Sequence, residues 1–497
     1  MKTLKNIRRS IGAAALMILT VGCDSLLDVE PVSQVGGTEF WKTESDAQSG
    51  LAGVYDAMQS AYSSRYHIWG EMRSDNWQPS GNASATAQQL LNNELTDQSS
   101  VYSNWGGLYR MIFRANVAID KIAEIPGDVR PYLAQAHALR AFAYFDAVRV
   151  WGSAPLYLEA ISGLNDDIFR GKTAGSYIMD SVVIPDMLLA EDLMLTRKNR
   201  FQFSLSSIYC LQAEVYMHLQ EYVLAKEALD KLVALDEFRL TSDAESFHAM
   251  FRNEPESTGL SANEEENGPE LIFSIRYELI DLDVNQRSGI YGLFWPGVPS
   301  YNISTTLENK WIETFPVDSV SWVAKYPDFV PANINENDGS TIYGDFHRYT
   351  RLIEDGKEIG NRRYGKYNLS NYPVSLDDTD IVVYRYGGML LLKAEVEARL
   401  GNFQEAVNLV NRIRSARELP RVSLADFQTN QQLIDAILLE RQFELLGEGK
   451  RWWDLIRTKT AVDVMGPING QTSEKLFFPI FFEHLAENPN LTQTPGY

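Results

Sequence analysis

Two stretches of this chain set aromatic rings beside planar polar side chains, the pairing from which a sugar-binding surface can be made. Trp77 follows Arg73, Asp75 and Asn76 in Glu71-Met72-Arg73-Ser74-Asp75-Asn76-Trp77-Gln78-Pro79, where a helical pattern breaks into a loop rich in Gly, Ser and Asn. Tyr291 and Trp295 stand in Tyr291-Gly292-Leu293-Phe294-Trp295-Pro296-Gly297, with Tyr301 and Asn302 close behind. A pyranose presents an apolar face of axial hydrogens and an edge of hydroxyls, so an aromatic platform flanked by Arg, Asn and Asp satisfies both. These eight residues are the ligand-binding candidates. For Trp77 and Trp295 two readings stay open at this level, a stacking face or packing of the loop itself.

Residues for covalent chemistry are not arranged to perform it. The 6 histidines (His67, His137, His218, His248, His347, His484) are scattered, with no H-E-x-x-H pair and no Cys/His cluster, so the sequence carries no metal signature. No G-x-S-x-G elbow, P-loop or G-x-G-x-x-G occurs, and Ser300 and Ser304 lie in turn-like sequence without triad partners in order. The expectation is no catalytic residue and no cofactor. Among 66 acidic residues a carboxylate pair suited to glycoside hydrolysis could assemble in any fold, yet nothing singles one out.

Charge narrows the partners. A formal net charge of -21 repels phosphate backbones, which argues against nucleic acid, and gives no electrostatic attraction to an anionic membrane. Membrane attachment has a different source. Lys2, Lys5, Arg8 and Arg9 precede apolar Ile11 to Leu19 and the small-residue site Gly22-Cys23, the layout of a secretory leader over residues 1–22. The segment is too short to span a bilayer. Cysteine directly at the cut indicates the lipoprotein form, acylated at Cys23, although Thr20 stands where such sites prefer Leu. With Cys23 so used, Cys210 has no disulfide partner among 2 cysteines and reads as a buried, inert thiol.

The scaffold that must position the candidates is helical. Ala213-Glu214-Val215 through Tyr222 and Ala225 lies over Ala394-Glu395-Val396 through Phe403 and Ala406 at constant spacing, with Leu219 over Leu400 and Leu232 over Ile413. Each copy reads helix, tight turn, aromatic, second helix, which resembles the tetratricopeptide pattern. Two further pairs follow from periodicity: Val101 to Ile125 with Pro131 to Val150, and Leu433 to Gly447 with Arg451 to Arg457. Leu439 to Arg457 is the most charged and aromatic of these runs, and its spacing predicts Arg441–Glu444 and Asp454–Arg457 ion pairs three apart.

Between the helical regions, roughly 45–235 and 380–460, the texture changes. Residues from about 250 to 380 read as a loop-rich insertion with a few short strands, Glu270 to Tyr277 and Ile381 to Tyr384 among them. Loops of this kind on a rigid scaffold are where binding normally sits. The expectation is an all-α dominated fold of about four helical pairs in a superhelix, residues 23–497 forming one domain.

Several strings resemble the SusD/RagB family, surface lipoproteins that bind nutrients for an outer-membrane transporter. Leu439 to Arg457 is similar to its C-terminal hallmark. Ala138-Leu139-Arg140-Ala141-Phe142-Ala143-Tyr144-Phe145, Trp151-Gly152-Ser153-Ala154-Pro155-Leu156 and Phe40-Trp41-Lys42-Thr43-Glu44 resemble its other signatures. Phe478-Pro479-Ile480 to Pro495-Gly496-Tyr497 resembles its terminal segment, from which Phe481 and Thr494 depart. The resemblance implies a non-enzymatic, lipid-anchored, surface-exposed protein of the outer membrane that captures a glycan and delivers it to a SusC-like TonB-dependent β-barrel. It equally accommodates a RagB-like peptide-binding member. A helical-scaffold glycoside hydrolase is the remaining alternative.

Overall fold

The structure is a computed structural model that describes residues 40–160, 168–251, 268–277, 287–294, 299–318 and 379–497, with short pieces of 341–367. Cys23, the leader, Trp295 and Trp322 lie outside the described residues, and of Tyr291 only the backbone is described.

Helix α1 (Glu44–Tyr62) begins at a Thr43 cap reciprocated by Asp46, the device that the sequence Thr-x-x-Asp supplies. After α2 (Arg65–Gly70), β1 (Trp77–Pro79) and α3 (Ala85–Leu91) come the long helices α4 (Gly106–Ile122) and α5 (Arg130–Trp151). Helix α5 opens with Pro131 in its first turn and stops at Gly152, whose φ of 74° ends it. A short hairpin, β2 (Ser153–Pro155) with β3 (Lys172–Ala174), leads through a π-turn at Met179–Val183 into α6 (Ile184–Leu193). Then follow α7 (Leu205–His218), α8 (Tyr222–Ala234), β4 (Leu271–Ile275), β5 (Tyr301–Ile303), α9 (Thr305–Thr314), β6 (Ile381–Arg385), α10 (Tyr386–Arg399), α11 (Phe403–Ala416), α12 (Asn430–Glu444) and α13 (Arg451–Arg457).

Neighbouring helices touch in a running order, α1 on α4, α4 on α5, α5 on α6, α6 on α7, α7 on α8, α8 on α10, and α10 on both α11 and α12. Alanines make the close approaches possible: Ala115 and Ala118 on α4 and Ala134, Ala138, Ala141 and Ala143 on α5 are fully buried. This is the mostly helical, paired architecture expected. The pairing of α1 with α4 adds a contact that periodicity alone did not reveal. Strands are few and two-stranded: β1 with β5, and β4 with β6, whose residues are buried throughout.

The two aligned repeats share their turn down to the hydrogen bonds. Glu221 N donates to Tyr216 O at 2.8 Å as Asn402 N does to Glu397 O at 2.8 Å. The residue before each takes positive φ, 85° at Gly401 but 63° at Gln220, so a side chain sits where the motif favours glycine.

Trp105, Trp151, Trp311, Trp452 and Trp453 are buried, and Cys210 is a buried free thiol whose ionisation burial pushes up, as their helical faces imply. Among the described residues no helix is long and apolar enough to cross a membrane.

Candidate functional site

The charged hallmark folds into the part of the molecule that carries the candidate residues. Gly447 and Gly449, with φ of 74° and 71°, turn the chain between α12 and α13. The turn aims the amides of Gly447, Lys450 and Arg451 at the Glu71 carboxylate, at 3.1, 3.1 and 3.3 Å. Asn76 Nδ2 and Trp77 Nε1 donate to the same group at 2.7 and 3.3 Å. Five donors, three of them backbone amides, thus hold one fully buried acid that has no direct cation partner among the described residues. Burial pushes the Glu71 pKa up against these bonds.

Asp75 lies beside it. Arg451 reaches it with Nε and Nη2, and Lys310 of α9 with Nζ at 3.1 Å. Despite burial, Arg451 and Lys310 hold its carboxyl well below the usual range. Gln442 bridges Asp75 and Asn76 at 3.1 and 2.7 Å. Ser304 closes the group, its amide donating to Asn76 O and its hydroxyl to Asp75 O.

The structure therefore brings Asp75, Asn76, Trp77, Tyr301 and Asn302 together, but as a buried joint and not as an open arc. Trp77 is 4% exposed, its ring packed against Phe294 and Tyr364 with centroids 5.2 Å away in each case. Tyr301 is 2% exposed and lies 3.4 Å from Tyr102 by its hydroxyl, and Asn302 is buried opposite Gln78 in the β1–β5 ladder. Arg73 points away from this joint altogether, donating to the carbonyls of Lys475, Leu476 and Phe477 with its guanidinium over the rings of Trp452 and Phe478. Arg73, Asp75, Asn76, Trp77, Tyr301 and Asn302 are all nearly closed to solvent, because residues far along the chain cover them. What they support is a rim: Ser80 is tied to the carbonyls of Pro299 and Ser300, and Pro79, Gly81 and Asn82 beyond it are exposed.

A second joint pins the loop-rich part to the helices. Five buried carboxylates, Glu270, Asp345, Glu440, Glu444 and Glu448, face the five cations Arg348, Lys366, Arg385, Arg414 and Arg417. Arg385 alone reaches Glu270, Glu444 and Glu448, at 3.0, 2.8 and 2.7 Å. Burial opposes ionisation of Glu444, but Arg417, Arg385 and Arg348 outweigh it and hold its pKa well down. The predicted Arg441–Glu444 pair yields to this clamp: Arg441 instead takes Asp454 side-on at 3.1 and 3.1 Å. The Asp454–Arg457 pair forms as expected.

A well-formed cavity lies elsewhere. About 260 Å³ in volume, it is walled by Trp105, Tyr109, Ile112, Phe113 and Asn116 on one face of α4 and its cap, by residues 155–159 and 168–169, and by His484, Glu487, Asn488 and Leu491. Trp105 and His484 stack at 5.2 Å and 13°. The sequence signal for this wall is the i, i+4, i+8 run of Trp105, Tyr109 and Phe113, which is also the signature of an ordinary packed helix face. Among the described residues no group of three or more His, Cys, Asp or Glu could hold a metal ion.

Paired helices bear a rim of loops, and the buried carboxylates Glu71, Asp75, Glu270, Glu444 and Glu448 are committed to cations or amides. The family model described as "SusD family" matches residues 357–497, and one described as "Starch-binding associating with outer membrane" matches residues 25–217. The chain is 43% identical to SusD-like protein P38 of Formosa agariphila, over 100% of both chains. Among solved structures, a SusD superfamily protein from Parabacteroides distasonis superposes with a TM-score of 0.71 at 19% identity, covering 91% of this chain and 99% of that one. A laminarin-binding SusD-like protein superposes with a TM-score of 0.69 at 19% identity, covering 92% and 100%. This chain belongs to the SusD family.

Proposed function

We infer that this protein is a lipid-anchored glycan receptor of the cell surface, held to the outer membrane at Cys23, which passes its ligand to a SusC-like TonB-dependent β-barrel. The observation that carries the glycan reading is family membership at 43% identity over the full chain, together with the shared fold of a protein that binds laminarin. The absence of any committed catalytic motif favours capture without cleavage. Tyr291 and Trp295 are the stacking candidates that remain, carried on the segment leading to β5, with the exposed 79–82 turn across the β1–β5 ladder. Asp75, Asn76, Trp77, Tyr301 and Asn302 act beneath them, fixing where that rim stands, while Arg73 ties the same segment to residues 475–477.

The test is a calorimetric screen of the purified protein against β- and α-linked glucans and other oligosaccharides, with the reducing ends counted before and after. Binding with an unchanged reducing-end count supports the reading. Shortening of the glycan by a clean preparation, or binding to none of the panel, sinks it.

A further inference from the structure

The cavity against α4 is lined to take a protein side chain. At its mouth Phe113, Ile168 and Phe169 are 40%, 39% and 45% exposed, a concentration of large apolar groups that marks contact surfaces in soluble proteins. Its volume of about 260 Å³ is below the roughly 300–1,000 Å³ of drug-sized sites, and suits one bulky group. Four polar side chains of its walls, Tyr109, Tyr157, Asn116 and Asn488, are already engaged. Tyr109 OH donates to Pro155 O at 2.7 Å and Tyr157 OH to Ile168 O at 2.8 Å. Asn116 donates to Tyr157 O at 2.9 Å and accepts from Arg140 at 2.9 Å, and Asn488 donates to Arg170 O at 2.9 Å. A sugar ring placed against these four groups would bury hydroxyls that they cannot partner, which costs free energy that an apolar group avoids. Two exposed acids border the cavity, Glu159 and Glu487, and among the described residues neither carboxylate has a hydrogen bond or ion pair. Arg170, the cation alongside, is turned to Leu156 O and over the Tyr157 ring.

We propose that this cavity docks a protein segment presenting a bulky apolar side chain next to a Lys or Arg. The apolar group fills the space between Trp105, Tyr109, Phe113 and Phe169, and the cation lies at Glu159 and Glu487. Shape and charge are complementary to that occupant and to neither a neutral sugar nor an acidic peptide. The assignment stands independently of the glycan reading.

The experiment uses the full-length protein, purified in detergent, titrated with acetyl-Gly-Trp-Lys-Gly-amide, acetyl-Gly-Trp-Glu-Gly-amide and laminaritriose. The Trp-Lys peptide is expected to bind about threefold to tenfold more tightly than the Trp-Glu peptide at low salt, with the gap closing at high salt, as for exposed charge pairs. Phe113→Asp, at an exposed position that leaves the melting curve in place, abolishes peptide binding without altering glycan binding. Glu487→Lys removes the preference between the two peptides. No peptide binding, equal affinity for both, or displacement of the peptide by laminaritriose overturns the proposal. Peptide binding by a protein that takes up no glycan overturns the glycan reading alone.

Discussion

Arg451 meets Asp75 side-on, its Nε and Nη2 donating to the two carboxylate oxygens at 2.8 and 3.1 Å across 376 positions of chain. Such a fork is geometrically specific and, with Asp75 buried, unscreened. It locks the helical hallmark to the base of β1, so the position of the rim depends on it.

Asp75→Ala leaves the Arg451 guanidinium largely buried without its acid. Breaking a buried pair from one side costs about 3–5 kcal/mol, and urea unfolding should show a loss of that order. A change under about 1 kcal/mol would mean that Arg451 escapes to solvent and the joint is not a constraint.

Trp77 and Trp295 should behave in opposite ways. Trp77 is enclosed by Phe294, Tyr364 and Glu71, so Trp77→Ala is expected to cost about 3–5 kcal/mol of stability through the cavity it leaves. Trp295→Ala should weaken glycan binding by roughly 1–3 kcal/mol with little change in Tm. Normal affinity in Trp295→Ala removes that residue from the ligand site.

The paired turns offer a matched experiment. Gly401→Ala forces a side chain into positive φ and should destabilise by about 1 kcal/mol, whereas Gln220→Gly relieves the same strain and should be neutral or stabilising by up to about 1 kcal/mol. Equal signs in the two thermal shifts would show that the repeats do not share one turn energetics.

Burial holds His67, His218 and His347 down to about 4 from the ordinary 6.5. Each is neutral in the fold, so the stability it contributes is complete above pH 6.5 and is lost as pH falls toward 4. Glu444, Glu448 and Asp454, held low mainly by arginines against burial, extend the loss below the ordinary carboxylate range. Glu71 and Asp345, raised by burial, act in the opposite sense. The urea midpoint should therefore drop between pH 7.5 and pH 5, by roughly 1–3 kcal/mol in free energy; a midpoint that holds or rises contradicts the histidine assignment.

Cys23→Ala tests anchoring. The variant should leave the membrane fraction in cells lacking any transporter partner, and its retention there would refute acylation as the tether.

Helical pairing was legible because Ala213 over Ala394 and Tyr222 over Phe403 are local, periodic facts that survive folding. Strands at 271–275 and 381–385 were legible for the same reason. The fate of Trp77 was not, since what covers it comes from Phe294 and Tyr364, and no window of sequence contains them together. The spacing of Arg441 and Glu444 suggested a partnership that tertiary structure replaced with better ones, a side-on Asp454 for the first and Arg385 and Arg417 for the second. Glu71 was visible only as one acid among 66. Its role requires the two glycines of a turn that lies 376 residues away.

The nest around Glu71 also sets an order of events for a chain made from one end. Glu71, Asp75 and Arg73 emerge early, but the groups that satisfy them, from Gln442 and Gly447 through Arg451 to Phe477, come last. Until residues 442–477 are made these side chains lack those partners, and burying them costs free energy. A chain cut short before Leu439 lacks Gln442, the amides of Gly447, Lys450 and Arg451 and the Arg451 guanidinium, and so leaves Glu71 and Asp75 without most of their partners.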